Sequence, residues 1–155
     1  MTKVKIKIYD NSEIREEIDN LYSITNQKLI AKWAIEIAKH ILLITNIDYC
    51  TIPEIIEGFI VNENWQNDKA RMYDVRQVGF KIHKLARLYN DNEVKKYALR
   101  VVGQAVASGH MKEHAIVASD YAIKLINIMY HNDLEKVTEE RNWQLRKLNE
   151  TATKE

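Results

Sequence analysis

Residues 93–129 read EVKKYALRVVGQAVASGHMKEHAIVASDYAIKLINIM. Val94, Ala98, Val101, Val102 and Ala105 recur at intervals of three and four, and so do Ala115, Ala118, Ala122, Leu125 and Met129. That spacing lines one face of an α-helix. Asn90-Asp91-Asn92 breaks the chain just before the stretch, and Gly109-His110 divides it, because glycine is favoured just past a helix C-terminus. The reading is two amphipathic helices, Glu93 to Ser108 and Met111 to Met129. Their seams are mostly alanine, which lets helix axes approach closely.

Working outward, the same period recurs. Met72, Val75, Gly79, Ile82, Ala86 and Tyr89 mark a helix from Asp68 to Tyr89. Leu29, Ile30, Trp33, Ile37, Ile41 and Ile44 mark another, capped by Thr25 or Asn26 and running to Thr45. Its larger side chains should close one side of the alanine-rich core. Asp10-Asn11-Ser12 can cap a short helix to Tyr22. Thr51-Ile-Pro-Glu54 reads as a capping box opening a short helix to Val61, followed by a polar connection at 62–67. His131-Asn-Asp133 starts a charged last helix that should fray from residue 149. At the N-terminus Lys3, Lys5 and Lys7 alternate with Val4, Ile6 and Ile8, which is strand period. Residues 1–10 are therefore expected to form an ordered arm or an edge strand.

Composition agrees. A chain of 155 residues with average usage would hold about 18 glycines and prolines, and this one holds 4 Gly and 1 Pro. Folds built on many tight turns need those residues. The expected architecture is all-α: one domain spanning 1–155, a bundle of five to six helices with the N-terminal arm or short strand.

Several function classes are excluded at this level. The net charge of +1 sets up no global field toward nucleic acid or a membrane. The richest apolar stretch, Leu29 to Ile47, is interrupted by Lys32, Glu36, Lys39 and His40, so no membrane span is expected. The single cysteine, Cys50, forbids an intrachain disulfide and fits a reducing compartment, and the N-terminus lacks an apolar signal core, which together suggest the cytoplasm. There is no phosphate-binding glycine loop, no EF-hand and no serine elbow. Basic patches with interleaved aromatics are absent apart from the three-lysine arm.

Two constellations carry chemistry. His110-Met-Lys-Glu113-His114 matches a metalloprotease pattern, with two histidines on one helix face and a glutamate as base. A catalytic zinc needs a third protein ligand, and none is evident. Asp120, six residues past His114, faces another way. No metal or other cofactor is therefore expected, and a hydrolase using His110 and His114, perhaps joined by His83, stands as an alternative. The second constellation is His83, Gln104, His110, His114 and Tyr121, which helical spacing brings toward a junction of three helices. They are either hydrogen-bonded groups that fix helix register or the lining of a small binding site. Charge is also uneven. Residues 10–19 carry Asp10, Glu13, Glu16, Glu17 and Asp19 against one arginine, and residues 54–68 carry Glu54, Glu57, Glu63 and Asp68 with no cation. Such segments suit a basic partner.

The string from Tyr97 to Lys124 resembles the core of the bacterial immunity proteins, small all-helical proteins associated with polymorphic toxin systems. Members show an Ala-rich Gly-Gln-Ala-Val-Ala-Thr-Ala-His stretch, a second histidine four residues on and a Tyr-Ala-x-Lys end. Trp33-Ala34 with Ala38, His83 with Ala86-Arg87, and Glu140-Arg141-Asn-Trp143-Gln144 extend the likeness in order over residues 29–148. Ile37 stands where the family often has Cys, and Gly109 where it often has Ala. The resemblance implies an all-α protein that protects a cell by binding a cognate toxin, without catalysis. It carries over His83, Gly103, Gln104, His110, His114, Tyr121 and Lys124. A helical module that associates with itself, giving a homo-oligomer, is the remaining alternative.

Overall fold

The structure is a computed structural model and describes residues 1–153. It is all-helical. The elements are Ser12–Ile24 (α1), Gln27–Ile44 (α2), a 3-10 turn at Tyr49–Thr51, Pro53–Gln66 (α3), Met72–Ala86 (α4), Glu93–Ala107 (α5), Glu113–Met129 (α6) and Leu134–Ala152 (α7). The described residues thus form seven α-helices, where five to six were expected. Both short segments are full helices. Asn11 caps α1 by accepting from Ile14 N at 3.2 Å. α3 runs on through its polar end because Asn62 faces inward, donating to the Val106 carbonyl at 2.8 Å and accepting from Gln66 at 2.8 Å.

No strand forms among the described residues. The arm has the alternation of a strand but pairs with a side chain instead. Asn127 of α6 accepts from Tyr9 N at 2.9 Å and donates to Tyr9 O at 3.0 Å, as a neighbouring strand would. Lys3, Lys5 and Lys7 point outward, while Ile8 packs on Ile123, Ile126 and Val137.

Other boundaries shift for local reasons. The capping box at Thr51 does not form. Asp48 caps the 3-10 turn through Cys50 N, and Ile52 precedes α3 without a side-chain cap. α4 starts at Met72, after a left-handed Asp68, with Asp74 accepting from Arg71 N at 3.0 Å. α6 starts at Glu113, so His110 lies in the turn. α7 is helical to Ala152, and the last two residues of the tail expected to fray lie outside the described residues.

Helix α2 lies deeper than expected. It packs against α3, α5, α6 and α7, and Ile30, Trp33, Ile37 and Ile41 are fully buried. It is the central rod rather than one wall. The alanine seams form as read: Ala86, Ala98, Ala105, Ala115, Ala118 and Ala122 are all buried where α4, α5 and α6 meet. Among the described residues no helix is long and apolar enough to cross a membrane.

Glycine is used for packing and not for turns. The left-handed positions among the described residues are Asn46, Asp68, His131 and Asn132, and no glycine has positive φ. Asparagine and aspartate tolerate that conformation best after glycine. Each glycine instead sits where a side chain would collide with a neighbour. A Cβ on Gly58 would lie 2.9 Å from Ile82 Cδ1, on Gly79 3.3 Å from Ala107 Cβ, and on Gly109 3.0 Å from Trp65.

Candidate functional site

The junction of α4, α5 and α6 holds the histidine cluster. Gly103 creates its space, since a Cβ there would lie 2.7–2.9 Å from three atoms of the His83 ring. The ring therefore lies flat against α5. Arg100 donates to His83 Nδ1 at 3.1 Å, and the Gln104 carboxamide lies 3.4 Å from His83 Nε2 and 2.7 Å from His114 Nδ1. A guanidinium only donates, so His83 Nδ1 must accept and the ring proton sits on Nε2. A carboxamide keeps its shape when its oxygen and nitrogen exchange. With the oxygen toward His83 it accepts from Nε2, and its nitrogen donates to His114 Nδ1. The chain Arg100–His83–Gln104–His114 is then matched throughout, with both rings neutral.

The electrostatics point the same way. Burial, then Arg100, His114 and Arg87, push the His83 pKa down to about 4. Burial, followed by His110 and Lys5, also lowers that of His114. Protonating His83 would set a donor against Arg100 and add a cation beside two arginines.

The expected polar site residues His83, Gln104, His110, His114, Tyr121 and Lys124 do not converge on one spot. His83, Gln104 and His114 form the chain, and the His110 ring lies 5.9 Å from that of His114. Tyr121 sets its ring 6.1 Å from Tyr97. Lys124 reaches the arm, donating to the Lys7 carbonyl at 3.3 Å. All six are half-buried. A groove of about 450 Å³ between α2, α3 and α7 and a hollow of about 260 Å³ beside His40 and Trp143 contain none of them. No group of three His, Cys, Asp or Glu side chains arranged to hold a metal occurs among the described residues.

A second polar cluster was not read from the sequence. Arg141 is fully buried. It donates to Asp10 at 2.9 and 2.6 Å, to Asp120 at 2.8 Å and to Gln144 at 2.9 Å. Arg15 clasps the same Asp120 at 2.9 and 3.1 Å and reaches Asp19 at 3.4 Å. Asp19 in turn accepts from the Thr2 backbone and hydroxyl. The Trp33 indole donates to the Gln144 carbonyl at 2.9 Å. Arm, α1, α2, α6 and α7 are thereby tied together. On the outer side of α7, His40 stacks on Trp143 at 3.8 Å and donates to Glu140 Oε2 at 2.9 Å, while Glu140 Oε1 is buried without a partner among the described residues. The sequence signal was available: the Glu-Arg-x-Trp-Gln string pairs two polar residues three apart with a neighbouring carboxylate and indole.

The network also thins the acidic segments. Asp10 and Asp19 are paired internally, while Glu57 binds Lys81 at 3.1 Å and Asp68 binds Lys28 at 2.7 Å.

A family model described as Imm-5 like putative immunity protein matches residues 20–151. The chain belongs to this family. No curated protein and no solved structure matches it. The family match covers the whole histidine chain and the α6–α7 side of the ion network. The arm, Asp10, Arg15 and Asp19 lie outside the matched residues.

Proposed function

We propose that the protein neutralises a cognate bacterial toxin in the cytoplasm by binding it and covering its working surface, without catalysing a reaction. The observation that carries this reading is the match of an immunity-protein family over residues 20–151. The geometry is compatible with a binder. Both polar clusters tie helices together through internal hydrogen bonds, with Glu140 Oε1 beside the second left unpartnered among the described residues, so they support a stable surface. His83, Gln104 and His114 serve on this reading as the frame beneath the α4–α5–α6 surface, with His110, Tyr121 and Lys124 at its edge.

The expected basicity of the toxin keeps less support than the binding itself. Glu13, Glu16, Glu17, Glu54 and Glu63 remain as acids with no ion pair among the described residues, and the other four acids of those segments are paired within the fold. Co-expression with the toxin encoded beside the gene tests the function. Cells are expected to survive only when the protein is present. Equal killing with and without it would remove the proposal.

A further inference from the structure

Helix α4 buries Val75, Val78, Gly79, Ile82 and Ala86. Its opposite face carries Tyr73, Arg76, Phe80, Lys84 and Arg87 at intervals of three and four, continued by Leu88. All six are exposed, with Tyr73 at 56%, Phe80 at 52% and Leu88 at 73%. Within α4, from Tyr73 to the helix end at Ala86, the stripe is about 20 Å long at 1.5 Å per residue. Exposed large apolar side chains on one face mark interaction surfaces, and here they stand about two helical turns apart with Arg76, Lys84 and Arg87 between them. Sequence reading missed this stripe because its basic and aromatic residues are scattered in the chain and align only on the helix.

We propose that this face of α4 is the surface that grips the toxin, and that it fits an acidic, partly apolar protein face. The inference rests on the neutralisation reading above. Charge selects the occupant. Residues 71–100 hold eight Lys and Arg against three Asp and Glu, in a chain whose net charge is only +1. The single carboxylate of α4, Asp74, is taken by Arg71 at 3.0 Å, and Lys81 is taken by Glu57. Arg76, Lys84 and Arg87 have no ion-pair partner among the described residues. These unpaired cations flank exposed aromatic rings and await carboxylates.

The side-chain types favour protein over nucleic acid. The Arg76 guanidinium lies 4.9 Å from the Phe80 ring centroid and that of Arg71 lies 5.5 Å from Tyr73, so both cations are held against rings. Met72, 54% exposed, and Leu88 add aliphatic surface that phosphates do not use. Aromatic residues, methionine and arginine are the types enriched at protein interfaces and their energetic centres.

The experiment compares four proteins with the toxin encoded beside the gene: wild type, Tyr73→Ala/Phe80→Ala, Arg76→Glu/Arg87→Glu, and a control on α1, Glu16→Lys/Glu17→Lys. Since the altered positions are exposed, each variant should melt close to wild type. The aromatic and the charge-reversal variants are each expected to bind at least about tenfold more weakly, the loss expected on removing an interface anchor, while the α1 control binds as wild type does. Wild-type binding retained by both α4 variants would overturn the surface and leave the function intact. Failure of the wild type to bind would overturn the function and this inference with it. Sedimentation and titration with a short DNA duplex close the other routes. Self-association lost in the α4 variants would assign the face to a second copy, and tight duplex binding would assign it to nucleic acid.

Discussion

Two polar clusters sit at opposite sides of α6 and hold the bundle by different means. On the α4–α5 side the members are neutral: His83, Gln104 and His114 pass hydrogen bonds in a chain that works only while the rings are uncharged. On the α1–α7 side the members are ions: Asp120 lies between Arg15 and Arg141, and Asp10 and Asp19 complete the pairing. The first cluster is half-buried and the second almost wholly buried. Charges tolerate that depth only because each guanidinium meets two carboxylates. The neutral chain depends instead on space, which Gly103 provides, and on proton count.

The contrast is broken most forcefully at Asp120. Asp120→Ala takes the shared carboxylate from two buried guanidinium groups, leaving Arg15 with Asp19 and Arg141 with Asp10, and losing one partner of a buried pair costs about 3–5 kcal/mol. Chemical denaturation should show the midpoint falling sharply. A loss comparable to that of an exposed ion pair would mean that the network is solvated.

The neutral cluster should break more gently. In Gly103→Ala the new methyl group occupies the place of the His83 ring, which must swing outward, at a cost of about 1–3 kcal/mol typical of overpacking. The same substitution should flatten the acid dependence described next, because a displaced ring is solvated.

The folded pKa of His83 lies near 4, below the ordinary value of 6.5, and that of His114 is lowered too. A histidine lowered on folding contributes fully above its unfolded pKa, and the contribution is lost as pH falls toward the folded one, because the unfolded chain takes up the proton first. Melting temperature should therefore decline between about pH 6.5 and pH 4. For His83 the effect is roughly 2 kcal/mol after allowance for its partial exposure. His83→Gln should lower stability at neutral pH and reduce the slope. An unchanged slope in that variant would place the titration elsewhere.

Much of this was legible from residue spacing. Helical period identified the segments because the buried faces of α2, α4 and α5 are apolar, and that of α6 is apolar apart from Ser119, Asp120 and Asn127. It also indicated that Asp120 faces away from His110 and His114, as its pairing with Arg15 and Arg141 confirms. The arm shows where period is insufficient. Alternating lysine and isoleucine fixes which side faces water, but a strand also needs a neighbour, and here Asn127 takes that place. The junction of His83, Gln104 and His114 was readable because glycine and alanine on facing helices leave room for rings. Arg141 was harder, since its partners come from three distant segments and nothing local says that a guanidinium is buried. The α4 stripe was hidden for a related reason: exposure is decided by what the rest of the chain leaves uncovered.

On the proposed function, the protein acts by forming a complex and not by turning over its target. Titrating purified protein into a fixed amount of the toxin encoded beside the gene, and following residual toxin activity, tests it most directly. Binding predicts that activity falls in proportion to added protein and is abolished only near molar equivalence. Abolition by a small fraction of an equivalent, progressing with time, would show catalysis and contradict the account.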